Sequence, residues 1–329
     1  MGKVRFLVTG GAGFIGSNIV AALARSGEHV RAYDDLSTGR WALLERLLPS
    51  QGQVETITAD IRDTAALSRA MEGVEVVFHQ AADGSVPRSV DEPLRVDGVN
   101  IHGTVSVLEH ARRAGVRRVL FAASSAAYGD DPRLPKREDM EPMPLSPYAV
   151  SKVAGELYLR VFASLYGVET LSLRYFNVFG PNQLPEGPYA AAIPRFTMAA
   201  LTGRPATIYG DGEQTRDFCH IANVVQANLA AASSSRAFRG EVINIAGGQV
   251  TTLNGVIAAL SRLLGHPVAA SHEAPRAGDI RHSYADISLA SELLGYHPSV
   301  RWEEGLPSTI EFLREVIASP GRFAARAAG

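Results

Sequence analysis

The 329-residue chain has a single cysteine, Cys219. No intrachain disulfide can close and no cysteine-based zinc cluster can assemble, so a stapled secreted miniprotein is excluded and a reducing, cytoplasmic setting is expected. An excess of charge of one sign is also missing: 32 Lys and Arg stand against 34 Asp and Glu, for a formal net charge of −2. Without a basic block there is nothing to gather nucleic-acid phosphates or coat an anionic membrane, so neither partner is expected. No apolar stretch approaches the ~20 residues that span a bilayer. The first apolar run is short and breaks into Gly10, Gly11, Gly13 and Gly16, where the core of a secretory signal would have to continue. The histidines show no metal-ligand spacing, and no metal is expected. What remains is an ordinary globular composition, 46% hydrophobic and 20% charged. At ~100–200 residues per domain, the length suits one large α/β unit or two that share an interface.

Short β-branched or aromatic runs recur at Val4–Thr9, Val30–Asp34, Val54–Ile57, Val76–His79, Val119–Ala123 and Leu171–Arg174. Between them lie segments with helical spacing of apolar residues, such as Ile15, Ile19, Ala22 and Leu23, or Val105, Leu108 and Ala111 with Val116 beyond. Strands alternating with helices predict an α/β fold, a Rossmann-type doubly wound parallel sheet with right-handed crossovers. From about Asn177 the texture turns to loops rich in Pro and Gly, with helical stretches at Leu253–Leu264 and Ser288–Leu294 and a return to the sheet near Val242–Ile245. The predicted organisation is a nucleotide-binding unit over 1–176 with a return near 218–246. A smaller C-terminal substrate-binding unit takes 177–217 and 247–320, and the Ala/Arg-rich end, 321–329, is expected to fray.

The run Gly10-Gly11-Ala12-Gly13-Phe14-Ile15-Gly16 directly follows a strand pattern and opens a helix pattern. One glycine makes the tight turn and one lets the backbone approach a pyrophosphate. Gly16 permits close helix–sheet packing, and the helix N-terminus supplies amide donors and positive dipole. Alone, such a run is as often a simple turn. Asp34 ends the second strand pattern near the spacing at which a carboxylate binds both ribose hydroxyls and repels a 2′-phosphate. NAD is therefore favoured, while Arg31 and Arg40 leave NADP as the alternative.

Tyr148 and Lys152 are four apart and share one face if their segment is helical. A phenol is a poor base at neutral pH, but a nearby ammonium and an oxidised nicotinamide both favour phenolate, which makes Tyr148 a candidate base for a sugar hydroxyl. Ser124 and Ser125 lie at the carboxyl end of a strand pattern, where open α/β sheets place ligands. Singly, each of these residues is more often decoration or a helix cap; together with the glycine run they point to catalysis.

On these residues the chain resembles the extended short-chain dehydrogenases/reductases that act on nucleotide sugars, in particular the NAD-dependent UDP-hexose 4-epimerases. The resemblance covers nearly the whole chain. Its matching blocks include Asp34 to Gly39, Asp60-Ile61, His79 to Ala82, Asn100 with Gly103-Thr104, Ser124 to Gly129, Tyr148 with Lys152, Arg174 to Pro181, Gly210 to Gly212 with Arg216 to Phe218, and Arg276 to Asp279. It implies a catalytic set of Tyr148, Lys152 and Ser124. It further implies an NAD site lined by Gly10, Gly13, Phe14, Ile15, Gly16, Asp34, Asp35, Leu36, Ser37, Thr38, Gly39, Asp60, Ile61, Gln80, Ala81, Ala82, Asn100, Tyr148, Lys152 and Phe176. Without it, Ile15 and Phe176 would read equally well as core, and Asp60 as a helix cap. His79 is expected to be a packed, hydrogen-bonded residue.

For substrate, the resemblance implies contacts from Ser124, Ser125 and Tyr148, with Asn177, Arg216 and Arg276 on the sugar diphosphate, where a guanidinium fork suits phosphate. The small residues Gly84, Ser85, Ala191 and Ser283 resemble the branch that handles UDP-N-acetylhexosamines. They leave room for a 2-acetamido group without excluding plain hexoses. The implied reaction is 4-epimerisation of UDP-GlcNAc/UDP-GalNAc, or UDP-Glc/UDP-Gal, through a 4-keto sugar. Three rivals compete. A UDP-glucuronate 4-epimerase would want a cation for the carboxylate and carries Thr in place of Asn177. A dehydratase or decarboxylase shares the first oxidation, but Ser125-Ala126 offers the dehydratase no acid. A non-enzymatic NAD-binding regulator would not need Tyr148, Lys152 and Ser124 together. Asp83 departs from the pattern: it is an acid in a loop that should approach the sugar or nicotinamide, where it would either disfavour anionic substrates or face solvent. The resemblance also implies a homodimer paired through helices near Ile101–Ala114 and Tyr148–Leu165.

Overall fold

A computed structural model describes residues 5–48, 53–185, 191–275 and 280–324. The first half runs β1 (Phe6–Thr9), α1 (Phe14–Arg25), β2 (Val30–Asp34), α2 (Trp41–Leu47), β3 (Val54–Thr58), α3 (Thr64–Ala70) and β4 (Val76–His79). Two short helices, α4 (Val86–Asp91) and α5 (Pro93–Asp97), then lead through a π-turn at Gly98–His102 into α6 (Gly103–Arg113), β5 (Arg118–Ser124), α7 (Pro147–Tyr166) and β6 (Glu169–Tyr175). The second half runs β7 (Val178–Phe179), α8 (Ala192–Leu201), β8 (Ala206–Tyr209), β9 (Thr215–Asp217), β10 (Cys219–His220), α9 (Ile221–Ser233) and β11 (Arg239–Ile245). It closes with β12 (Val250–Thr252), α10 (Leu253–Leu264), β13 (Ala270–Glu273), α11 (Ser288–Leu294) and α12 (Trp302–Ala318).

Seven strands form one sheet in the order β11-β6-β5-β4-β1-β2-β3, every neighbouring pair parallel. The chain winds outward from β1 through β3, then returns to the other side of β1 at β4. That reversal opens the crevice at the carboxyl ends of β1 and β4 where this topology takes ligands. Strand alternation divides the core in two. Phe6, Val8, Val30, Ala32, Phe78, Leu120 and Ala122 face Ile19, Val20 and Leu23 of α1 and Val224, Ala227 and Ala231 of α9. Leu7, Tyr33, Val77, Val119, Phe121 and Ala123 face Ala66 and Leu67 of α3, Val107 and Leu108 of α6, and Leu159 and Phe162 of α7. The predicted strands and the helices at Leu253–Leu264 and Ser288–Leu294 all form.

A second core gathers Phe179, Ile193, Phe196, Ile208, Phe218, Val256, Leu260, Trp302, Leu306 and Ile310. The expected block 247–320 is not uniform, however. Ala290 and Tyr296 pack with the sheet core, because α11 lies on β11 and α9 rather than on α10 and α12. The chain end also departs from expectation up to Phe323, which is 2% exposed and edge-on to Phe312 at 5.8 Å, in a cluster with Leu43 and Leu313. An aromatic ring with an apolar hollow to fill ends the chain in a packed turn rather than a loose strand. Residues 325–329, the rest of the end expected to fray, lie outside the described residues.

Candidate active site

The loop after β1 is shaped by its glycines. Gly10 has φ of 69°, and a side chain there would strike the Ala81 backbone 2.7 Å away; a side chain at Gly16 would collide with the Gly10 carbonyl. The first turn of α1 is therefore brought against the end of β4, with no side chain capping it. Its amides are left for an anion, the arrangement that suits a pyrophosphate. Asp34 is 7% exposed and accepts from Ala12 N at 3.0 Å and Leu36 N at 2.8 Å. Burial pushes its carboxyl up to about 6, against the opposing pull of those two amides. Leu36 has φ of 62°, and a Cβ at Gly39 would lie 2.6 Å from the Asp34 carboxylate. The strip Asp35, Ser37, Thr38 thus wraps a buried acid with oxygen capacity to spare, a cradle that fits ribose hydroxyls.

Around this pocket the other expected residues take distinct roles. Phe14 and Ile15 are half-buried against the sheet core, while Ile61 is buried against Gly103. Asp60 pairs with Arg62 and accepts its amide at 2.8 Å; the cap of α3 is Asp63. Gln80 meets the Tyr175 hydroxyl at 3.3 Å, and Ala81 N donates to Thr9 Oγ1. Asn100, on the π-turn, donates to Asp83 O and Ser151 Oγ while accepting from Asp83 N, so it ties the loop after β4 to α7. His79 is fully enclosed between Thr9 Oγ1 and Thr104 Oγ1, at 2.7 and 3.0 Å, and burial holds it neutral with its pKa down at about 3. Asp83 neither faces solvent nor stands open to a ligand. It is 7% exposed and paired with Arg88 at 3.0 Å and Arg95 at 3.7 Å, cations of α4 and α5.

Tyr148 and Lys152 share one face of α7. Ser146 caps the helix through Ala149 N, which fixes the entry of Pro147 and Tyr148. Ser124, at the end of β5, lines one cavity with Tyr148; burial raises the phenol pKa, and the Ser124 hydroxyl nearby opposes the rise. Lys152 is 4% exposed and donates to Ala122 O at 2.9 Å, with its ammonium 4.9 Å from the Phe121 ring centre and 5.9 Å from that of Tyr148. Burial lowers its pKa to about 8, and the charge of Glu156 works against the lowering.

A cavity of about 270 Å³ opens at this point. Ser124, Ser125, Tyr148, Phe176, Asn177, Arg216 and Ser283 all line it, so residues from five segments of the chain meet there. Asn177 has φ of 34° and donates to Asp217 O at 3.2 Å. Arg216 donates to Thr215 O at 2.9 Å. Phe176 is wholly buried beside Tyr128. Gly84, Ser85 and Ala191 are not among the lining residues: Gly84 and Ala191 are exposed, and Ser85 caps α4 through Arg88 N. Arg276 lies outside the described residues.

The wall also holds residues that the sequence did not single out for substrate: Val86, Ala126, Tyr128, Gly129, Lys136 and Ile280. Lys136 is the notable one. It is 2% exposed, its ammonium donates to the Asp131 carbonyl, and its backbone is bridged to Ala285. No local signal marks it, because it reaches the cavity only through that long-range bridge. Among the described residues no group of His, Cys, Asp and Glu could hold a metal ion, and no helix is long and apolar enough to cross a membrane.

Comparison with known proteins supplies the context. The model of the NAD dependent epimerase/dehydratase family matches residues 6–246. The chain is 41% identical over 313 residues to the UDP-glucose 4-epimerase of Mycolicibacterium smegmatis, covering 94% of this chain and 99% of that one. Among solved structures it is similar to the UDP-N-acetylglucosamine 4-epimerase of Methanobrevibacter ruminantium in complex with UDP-N-acetylmuramic acid, with TM-score 0.89 and 38% identity over 96% of this chain and 99% of that one. A UDP-glucose 4-epimerase of Thermotoga maritima with UDP-glucose gives TM-score 0.88 and 38% identity over 95% and 100%.

Proposed function

Because the chain belongs to the NAD dependent epimerase/dehydratase family, we propose that it inverts C4 of a UDP-hexose or UDP-N-acetylhexosamine, UDP-GlcNAc/UDP-GalNAc or UDP-Glc/UDP-Gal, through a 4-keto sugar. The observation that carries this reading is the convergence of Ser124 and Tyr148 on a cavity that continues to Asn177 and Arg216, with the Lys152 ammonium buried 5.9 Å from the Tyr148 ring centre.

The loop Gly10–Gly16 with the Asp34–Gly39 strip fits NAD, whose pyrophosphate would meet the α1 amides and whose ribose would meet Asp34. When bound there, NAD would supply the hydride acceptor for C4 and the hydride donor for its return to the opposite face. Tyr148 removes the proton of the sugar 4-hydroxyl and later gives it back, a base and then an acid in one turnover. Ser124 hydrogen-bonds the same oxygen and keeps it aligned with the phenol. Lys152 places a positive charge beside Tyr148 and so favours the phenolate. Arg216, with Arg276, anchors the diphosphate while the sugar turns, and this remote binding retains the keto intermediate. Ser283 presents little bulk to a 2-substituent, which leaves room for an acetamido group.

The test is to incubate the purified protein, with and without NAD, separately with UDP-GalNAc, UDP-Gal and UDP-glucuronate, following the anomeric protons by NMR. Conversion to the 4-epimer without net NADH supports the proposal; accumulation of a dehydrated or decarboxylated sugar replaces it with a lyase. A second reading, UDP-glucuronate 4-epimerisation, is favoured by one observation: Lys136 puts a cation in the cavity wall. A homodimer fits the apolar residues left exposed on α7, namely Val150, Leu157, Val161 and Leu165, and the groove of about 560 Å³ between Leu94, Ile101, Leu145 and Pro147. A cytoplasmic setting fits the buried free thiol of Cys219.

A further inference from the structure

A buried ammonium costs free energy unless something offsets its charge, and the Ala122 carbonyl that Lys152 meets is neutral. Glu156 is buried one turn further along α7, four residues from Lys152 and so on the same helix face, and its charge works against the lowering of the lysine pKa. Glu156 does not close on Lys152. Both its oxygens accept from Arg174 of β6, from Nε and Nη2 at 2.8 Å each, and the two side chains are 5% and 3% exposed. Arg174 is in turn fixed from behind, its guanidinium 4.6 Å from the Tyr128 ring centre, and Tyr128 donates to Asn244 Oδ1 at 2.7 Å.

We propose that the Glu156–Arg174 ion pair is the positioning device for Lys152: Glu156 supplies the counter-charge that keeps the buried lysine protonated, and Arg174 fixes Glu156 so that the ammonium stays turned toward Tyr148. This rests on the epimerase reading, in which Lys152 acts on Tyr148. The arrangement uses opposite signs in series, cation, anion, cation, across the helix–sheet boundary. Other charged or titratable groups surround it. His79 of β4, Tyr148 of α7, Tyr128 after β5 and Glu138 flank the chain of charges, and the Asp83, Arg88 and Arg95 cluster lies beyond Asn100 and Ser151. His79 stays neutral and Tyr128 is pushed up to about 12, so neither titrates in the range where Lys152 does.

The experiment is the pH profile of kcat/KM between pH 5.5 and 10 for the NAD-loaded enzyme with the UDP-sugar it turns over, with bound NAD and Tm recorded for each variant. In Glu156→Gln the alkaline limb moves down by about one pH unit, the worth of one partly screened interior charge. In Glu156→Gln/Arg174→Met, which also removes the opposing cation, most of that shift is recovered although two side chains have changed. A merely structural pair would lower activity equally at every pH and gain nothing from the second substitution; that result overturns the proposal, as does a double variant shifted as far as the single one. Should Glu156→Gln not fold, Glu156→Asp withdraws the charge by one methylene and is read the same way, a lowered limb in support and an unmoved one against. A wild-type enzyme inactive on every UDP-sugar removes the epimerase reading and this inference with it, whereas an active wild type with an unmoved Glu156→Gln limb removes the inference alone.

Discussion

Ser124, the last residue of β5, and Tyr148, in the first turn of α7, line the same cavity. Helix α7 packs directly on β5, and that packing brings both groups to one site. Tyr148→Phe deletes the phenol hydroxyl and spares the ring, so turnover falls by about 10³-fold, within the range of a lost acid–base group. NAD remains bound in the purified variant, as its absorbance after denaturation reports. Full activity in Tyr148→Phe would sink the base assignment. Ser124→Ala leaves the phenol and is expected to cost less, about tenfold to a hundredfold in kcat.

Asp34 links cofactor affinity to pH. Its carboxyl titrates near 6 because burial penalises the charge. The sign follows: a folded value above the unfolded one means that the ligand-free chain has this group's stability in full below the ordinary carboxylate range, and loses it as pH rises through about 6. Ribose hydroxyls donate to the ionised form, so NAD selects it, and NAD affinity weakens as pH falls below about 6, toward tenfold per unit. Calorimetric titration with NAD from pH 5 to 8 reads this directly. Asp34→Asn flattens that dependence and weakens binding at pH 8 by about ten- to a hundredfold, the worth of hydrogen bonds to a charged group.

Much of this site is legible in the sequence because its signals are local. The glycine run, Asp34, and the four-residue step from Tyr148 to Lys152 each declare themselves within a turn or a strand, and strand alternation marks which residues of Phe6–Thr9 face which helix layer. What the sequence does not disclose depends on contacts between distant segments. Lys136 lines the cavity while bridged to Ala285, and α11 crosses back to the sheet through Ala290, with Tyr296 after it; Asp83 meets Arg88 only five residues on and Arg95 in the next short helix, a pairing that spacing alone does not announce. Arginine pairs and single β-bridges carry no periodicity, so nothing in composition or spacing announces them.

The chain end supplies a stability test. Truncation after Ser319 removes Phe323, which is buried against Phe312, and with it the carbonyl that accepts from Arg40 Nε at 3.0 Å. Losing a buried aromatic costs about 2–3 kcal/mol, read as a lowered denaturant midpoint with little change in kcat. An unchanged midpoint would mean that the ring does not contribute.

Lys136 decides between sugars. Its cation sits in the wall with Arg216, and among the described residues no Asp or Glu lines the same cavity. Lys136→Met keeps the stem and removes the charge. If the residue serves a carboxylate, kcat/KM for UDP-glucuronate falls by about tenfold or more, the loss of a charge-assisted hydrogen bond, while UDP-Gal and UDP-GalNAc change by less than about twofold. Equal losses on all three would assign Lys136 to fixing the Asp131 carbonyl and the strand at Ala285 instead. That outcome would leave C4 inversion of neutral UDP-sugars standing alone, since the cation is the observation that favours the uronate.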